Sequence, residues 1–572
     1  MSLTTLTRAG KHRVLGLFAS ITLVLLCGAL APTAQVLGQS ATTTVASAAK
    51  PAFKEEFAVM RDGKKLAANV FLPEGAGPWP VVLSRTPYLK DNARTPGGAS
   101  QKYTAAGFAY VVQDVRGKGH SEGEYLPFVD DRNDGYDTVE WAAKQSWSNG
   151  KIGMTGASAL GITANLAASA APPSLVAAYV VVAPYSRFEE VTFMGGVVKE
   201  ADTVNWMKGQ GAAEQVPPLL KRVVWDKRWE ETEFHTHLDR VKIPMYNVGG
   251  WYDIFNIGNI KNFTYLQNHG AKGARGNQKL SMGPFGHGAL SGDLAYPNGG
   301  DLRSPSSNQA DQEMRWFDYW LKGIDNGIMQ EPAVRYYRMA PARKNNLSAK
   351  NQFKTAPNWP VEHRDTRYYL QPGFALATEK PKARNASQTY RFDPAKPVTT
   401  FGGANLTFDR GPMDQREVGQ REDYLRFVTP VLTDDVAITG AVTAELWVTT
   451  DGPDTDFMAK LVDVYPDGYE ALVVDAPIRL RYRNGRMRDR DVKMMKSGKA
   501  EKVTIDLWAT SLLFEKGHRI ALHVTSSNNP RYEVNDNSGT PPGDPPRPRV
   551  AVNTVYFDKK HPSALILPIT AP

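Results

Sequence analysis

Between residues 80 and 287 the chain repeats one kind of patterning: a short, unbroken apolar run that ends in glycine, proline or a polar residue. The runs are PVVLSRTPY (80–88), FAYVVQDVRG (108–117), KIGMTGAS (151–158), LVAAYVVVAPYS (175–186), IPMYNVGGWYD (243–253) and KLSMGPFGH (279–287). Stretches compatible with helix lie between some of them, such as 134–144 and 161–171. Continuous apolar strands that alternate with helices predict a parallel sheet covered on both faces. Residues 187–240 break the alternation with a charged, tryptophan-containing helical stretch, which reads as a cap inserted over the strand ends. Met314, Phe317 and Leu321 fall at i, i+3 and i+7 and predict a helix that stops at Gly323.

From about residue 365 the period changes to two. Val436, Ile438, Val442, Ala444, Leu446 and Val448 alternate with polar positions, and so do Val503, Ile505, Leu507 and Ile520, Leu522, Val524. This pattern, with turn signals between, predicts an antiparallel sandwich or jelly roll. The segment TPPGDPPRPR (540–549) reads as an extended loop, because its prolines cannot donate to a ladder. The expected organisation is an export signal and linker over 1–49, a catalytic α/β domain over 50–350, and a jelly-roll domain over 365–572.

The first 13 residues carry Arg8, Lys11 and Arg13 and no acid, and Val14 to Ala31 is uncharged and mostly apolar. A stretch rich in Ala, Thr and Ser follows to Ala49. This is the pattern of a cleaved export signal, with an uncleaved anchor as the rival reading. The one cysteine, Cys27, lies inside this segment, and the Leu26 before it counts against lipoprotein processing. The mature chain is therefore expected to be periplasmic or secreted and free of the membrane. Without cysteine it has no disulfides, no thiolate catalysis and no cysteine metal site. With 42% hydrophobic and 22% charged residues it can bury a core. The net charge of +9 falls to +6 without the three leader positives, too dilute over this length to indicate nucleic acid.

The chemistry gathers where the runs end, since open α/β sheets carry reactive groups beyond the carboxyl ends of their strands. Gly156-Ala157-Ser158-Ala159-Leu160-Gly161 follows a strand and opens a helix. Glycines on both sides permit a sharp strand–turn–helix that exposes the Ser158 hydroxyl. A serine hydroxyl becomes a useful nucleophile when a histidine takes its proton and a carboxylate orients that histidine. In chain order the acid and then the histidine should follow the serine; Asp253 ends one run and His287 ends the last. The backbone N–H of Ala159 is a candidate donor to the oxyanion. Tyr88, in Arg85-Thr86-Pro87-Tyr88, is a candidate second donor or else an aromatic of the pocket wall. Trp206, Trp251 and Tyr252 are candidate substrate contacts. His235-Thr236-His237 reads as a surface feature rather than a metal pair. No metal and no cofactor are expected.

At this point the motifs resemble a known family from about residue 55 to the end: the X-prolyl dipeptidyl peptidase-like serine hydrolases, also called the CocE/NonD family. That family includes cocaine esterase, α-amino acid ester hydrolases and glutaryl-cephalosporin acylases. RTPY, YVVQDVRGKGHSEGEY, WSNGKIGMTGAS, GGWYD and GPFGH resemble its catalytic domain, and WFDYWLKGIDNG the helix that leaves it. GPMDQREV, DGPDTDFMAKLVDVYPDG and SSNNPRYEVNDNSG resemble its C-terminal domain. The resemblance implies an α/β-hydrolase core with an inserted helical cap and a jelly roll. It implies Ser158 as nucleophile, Asp253 as orienting acid, His287 as base, and Tyr88 with Ala159 as the oxyanion hole. Two departures bear on substrate. Ala159 stands where many relatives have tyrosine, and no Trp-x-Gly-Asp-Asp-like segment is present to hold a substrate ammonium group. The expected function is cleavage of a small carboxylic ester, or an amide, through an acyl-enzyme. The alternatives are an acylase or dipeptidyl-type peptidase, and a non-catalytic binding protein. A homo-oligomer is left open.

Overall fold

The computed structural model describes residues 53–92, 100–297, 309–343 and 346–572. The export signal read over 1–49 lies outside these residues. Ten strands form the first sheet: β1 (Lys54–Val59), β2 (Lys65–Phe71), β3 (Trp79–Thr86), β4 (Ala109–Asp114), β5 (Ser148–Ala157), β6 (Leu175–Val181), β7 (Met245–Tyr252), β8 (Lys279–Gly286), β9 (Val334–Arg338) and β10 (Gln352–Ala356). Their spatial order is β1-β2-β4-β3-β5-β6-β7-β8-β9-β10. The seven strands from β4 to β9 in that order are mutually parallel. The β1–β2, β2–β4 and β9–β10 pairs are antiparallel. The six apolar runs are six of the parallel strands. The sheet does not end at His287, however: β9 and β10 extend it, and the β1–β2 hairpin precedes it.

The strands are apolar throughout because both faces are covered. On one face Leu83, Val111, Met154 and Val180 pack with Val139 of α1 (Asp131–Ala143) and Ala164 and Ala167 of α2 (Ala159–Ser169). On the other, Val82, Val112 and Tyr179 pack with Trp316, Phe317 and Leu321 of the helix Gln309–Lys322. That helix ends as its spacing predicts, with Gly323 at φ +75°. Between β6 and β7 the segment 187–240 forms a two-stranded ladder (Phe193–Met194 with Val197–Val198) and a series of short helical turns.

From Arg364 onward the described chain holds strands and short 3₁₀ turns. Eleven strands form one continuous network, antiparallel except for a single parallel pair, Ala375 with Val428. The alternation read at 436–448 belongs to the strand Val436–Thr450, where Val442, Ala444, Leu446 and Val448 are buried and the residues between them less so. One apolar cluster runs from the first sheet into this β-rich region: Tyr252, Met282 and Val334 share it with Ile438, Leu446 and Leu522. Backbone pairing joins them too, with Met339 N–H donating to Ser511 O at 3.0 Å.

Candidate active site

Four strands of the parallel sheet end in the residues singled out above: Tyr88 just past β3, Ser158 past β5, Asp253 past β7 and His287 past β8. Ser158 sits at φ 59° and ψ −123°, a strained conformation for a residue with a side chain. The flanking glycines are what allow it. A Cβ on Gly156 would fall 2.4 Å from the Leu160 carbonyl, and one on Gly161 would fall 2.9 Å from the Ala183 methyl.

The three polar groups form a line. Asp253 Oδ2 lies 2.7 Å from His287 Nδ1, and His287 Nε2 lies 2.7 Å from Ser158 Oγ. A carboxylate only accepts, so Nδ1 carries the proton, and Nε2 then accepts from the serine O–H. The Asp253 side chain is fully buried. Its Oδ1 accepts the Phe255 N–H at 2.7 Å, which fixes the rotamer. The Phe255 ring meets the imidazole edge-on at 5.6 Å.

Tyr88 is held from below and above. Buried Arg85 binds Asp131 at 2.7 Å, at the start of α1, and Thr163 of α2 donates to the Arg85 carbonyl at 3.1 Å. This anchors the turn against both helices. Thr86 Oγ1 accepts the Tyr88 N–H at 3.0 Å. At the other end Trp206 Nε1 donates to the phenol oxygen at 3.0 Å. Burial pushes the phenol pKa up, with its hydrogen bonds to Trp206 and Ser158 opposing it.

In front of Ser158 opens a mainly apolar pocket. Phe128, Ala159 and Ile162 come from the core, and Ile254 and Phe255 follow Asp253. Arg187, Lys199, Asp202, Trp206 and Met207 come from the segment between β6 and β7, and Leu406 comes from the C-terminal region. Phe128 and Trp206 are stacked 5.6 Å apart. Lys199 is fully buried and donates to the carbonyls of Glu190 (3.0 Å) and Ile254 (3.1 Å).

Trp206 thus lines the pocket. Trp251 and Tyr252 do not, and their reading as substrate contacts is corrected. Both are buried in the apolar cluster that joins the first sheet to the β-rich region. Trp251 Nε1 donates to Tyr337 O at 2.7 Å, and the Tyr252 hydroxyl to Leu472 O at 3.1 Å. They belong to a strand covered on both faces, so neighbouring Asp253 in sequence does not bring their side chains to the cleft. Phe128, Arg187, Phe255 and Leu406 also line the pocket and carry no sequence signal, since they stand in separate loops and at the start of the short turn Arg187–Thr192, with no shared period. His235 pairs with Glu233 at 2.8 Å and stacks on Tyr185. Among the described residues no group of His, Cys, Asp and Glu assembles a metal site.

A parallel sheet covered by helices, with a serine on a strained turn and an acid and a histidine at later strand ends, defines an α/β-hydrolase-type serine hydrolase. The profile of the X-Pro dipeptidyl-peptidase (S15 family) matches residues 62–224 and 217–289, and that of the X-Pro dipeptidyl-peptidase C-terminal non-catalytic domain matches 326–566. The chain belongs to this family of serine hydrolases acting on esters or amides. It is 31% identical over 579 residues to the cocaine esterase of Rhodococcus sp. (strain MB1 Bresler), covering 89% of this chain and 97% of that one. Among solved structures, an aminopeptidase from the marine sediment archaeon Thaumarchaeota archaeon superposes with a TM-score of 0.78 at 25% identity, over 91% of this chain and 97% of that one. An α-amino acid ester hydrolase superposes with a TM-score of 0.77 at 26% identity, over 94% of this chain and all of its own.

Proposed function

We propose that Ser158 is the nucleophile of an esterase that works through an acyl-enzyme, with His287 as general base and then acid, and Asp253 as the group that orients it. The observation that carries this reading is the unbroken line Asp253–His287–Ser158, with both links at 2.7 Å. Ser158 attacks the ester carbonyl while His287 takes its proton, and the imidazolium formed is stabilised by Asp253. The Tyr88 hydroxyl and the Ala159 N–H hold the oxyanion. His287 returns the proton to the leaving alcohol, and water repeats the sequence to release the acid. The segment 187–240 acts as a cap and 365–572 as a jelly roll that walls the cleft through Leu406 and supplies no catalytic group. The catalytic domain is taken as 50–350, and residues 1–49 as a removed export signal that leaves a periplasmic or secreted enzyme. Amide cleavage is the second reading, favoured by the structural likeness to an aminopeptidase.

The test is covalent labelling with a fluorophosphonate, followed by turnover of p-nitrophenyl esters and aminoacyl amides. Wild-type protein should label, and Ser158→Ala should not, with a loss of about 10⁴ to 10⁶ in kcat. Undiminished labelling of the variant would reject the nucleophile. Faster turnover of the amides would select the second reading.

A further inference from the structure

Lys199, in the segment between β6 and β7, has its side chain wholly withdrawn from water. Taking an ammonium out of water is costly unless acceptors replace the lost solvent. Three acceptors do so here. Nζ donates to the Glu190 carbonyl at 3.0 Å and to the Ile254 carbonyl at 3.1 Å, and Asp202 Oδ2 lies 3.5 Å away. The rings of Phe255 and Trp508 enclose the group, their centres 5.6 and 5.8 Å from Nζ. An ammonium has three donors and no acceptor, so surroundings made of acceptors and ring faces suit the charged form. Burial pushes the Lys199 pKa down and Arg531 adds to this, while the negative charges of Asp202 and Asp253 oppose it.

Of these contacts, the one to Ile254 reaches the proposed catalytic groups. The Ile254 carbonyl and the Phe255 N–H are the two ends of one peptide unit, which is planar and rigid. Its oxygen accepts from Lys199, and its N–H donates to Asp253 Oδ1 at 2.7 Å. Asp253 Oδ2 then meets His287, and His287 meets Ser158. One line of hydrogen bonds thus runs from Lys199 through the 254–255 peptide and Asp253 to His287 and Ser158.

A cation against the peptide oxygen draws electron density towards it and makes the N–H at the other end a stronger donor. This is the cooperative strengthening of chained hydrogen bonds at low dielectric. A stronger donor holds the Asp253 carboxylate more firmly in the rotamer that faces His287. The anchor is itself fixed from outside the sheet. Glu190 belongs to the short turn Arg187–Thr192, and Asp202 also accepts the Leu406 N–H at 2.9 Å. Lys199 therefore ties the acid turn to the segment between β6 and β7 and, through Asp202, to the C-terminal region.

We propose that Lys199 is a positioning residue for the hydrolysis, acting on Asp253 through the Ile254–Phe255 peptide. The assignment rests on the reading of Ser158, His287 and Asp253 given above and adds a fourth side chain to their line. Lys199 stands in the pocket wall, but its donors are directed at the two carbonyls and Asp202, so it acts on the acid and not on the substrate. The bonds made and broken in the reaction are unchanged.

The test uses the full-length protein, a p-nitrophenyl ester and the rate of fluorophosphonate labelling, with folding checked by thermal melt. Lys199→Met should lower kcat by about tenfold to a hundredfold and leave KM little changed, the loss expected when a catalytic group is slightly misplaced. Lys199→Arg, which keeps the charge, should recover part of that loss. The decisive comparison is made in an Asp253→Ala background, where the line is already cut. There Lys199→Met should cost less than about twofold, because residues that act as a unit are not additive. A lysine that only shaped the pocket would cost the same in both backgrounds. Should Lys199→Met fail to fold, Asp202→Asn is added to it; the pair leaves no lone buried charge, keeps an acceptor for the Leu406 N–H, and enters the same comparison. Equal losses in the two backgrounds, an unchanged kcat, or a change confined to KM would overturn the proposal and leave the esterase standing. Turnover of no ester by the wild type, together with no labelling, would instead remove the esterase reading and the positioning role with it.

Discussion

Replacing Tyr88 with phenylalanine removes one oxygen from the proposed oxyanion hole and leaves the ring where it is. Trp206 already donates to that oxygen at 3.0 Å, so the phenol's own proton faces Ser158 and is at hand for the developing oxyanion. Burial raises the phenol's pKa, so it stays protonated well above neutrality. Loss of one such donor lowers kcat by roughly 10² to 10³, about 3 to 4 kcal/mol of transition-state stabilisation. KM should move little, because the contact is made in the transition state and not in the Michaelis complex. A second effect is separable from the first: the Trp206 N–H loses its partner, at a stability cost of about 1–3 kcal/mol. Stopped-flow measurement of the p-nitrophenol burst gives the acylation rate, and a thermal melt gives the stability. Wild-type kcat should also be level through the mildly alkaline range, since Tyr88 does not ionise there. An unchanged burst rate with a raised KM would refute the reasoning and make Tyr88 a wall of the pocket.

Three further outcomes are expected. Gly156→Ala should fold poorly or lose active-site titre, because its Cβ would meet the Leu160 backbone at 2.4 Å and a conflict with backbone typically costs about 1–3 kcal/mol or more; wild-type melting and titre would contradict this. Burial raises the Glu190 pKa from 4.5 to about 7, so the folded chain keeps a proton that the unfolded chain releases, and the stability it contributes is lost as pH rises through that window. Glu190→Gln should therefore gain on the wild type by about 3 kcal/mol between mildly acidic and mildly alkaline buffer, read from denaturant melts; a gap that does not widen with pH rejects the assignment. A chain ending near residue 350 should aggregate or lose most esterase activity, because it strips the cover from Tyr252 and Met339 and removes Leu406. A soluble monomer with near-full kcat/KM would show the two parts to be independent.

What the sequence displayed and what it concealed follow one physical line. In a parallel sheet the strands are apolar on both faces, so each run stands out, and the polar residue that closes it is conspicuous. That is why Tyr88, Ser158, Asp253 and His287 could be singled out together. The strands Val334–Arg338 and Gln352–Ala356 escaped because arginine and lysine interrupt them. The Lys54–Phe71 hairpin escaped because its first strand is largely exposed. Trp251 and Tyr252 adjoin Asp253 in sequence, but their side chains enter the apolar cluster on the faces of the sheet, a distinction the sequence alone does not draw. The pocket itself is built from loops far apart in the chain, and no period of two or 3.6 runs through them.

The long reach of the C-terminal contacts sets a clock on the enzyme. Asp202 meets Leu406 across 204 residues, Tyr252 meets Leu472 across 220, and Asn256 meets Ala509 across 253. Leu406 follows His287 by 119 residues, so synthesis at about 5–20 residues per second leaves the cleft unfinished for roughly 6–24 s after the last proposed catalytic group is made. During that interval Ser158, Asp253 and His287 are already made while the wall that closes their pocket is not. A chain whose translation stops before Leu406 would carry every proposed catalytic group with one side of the pocket still open.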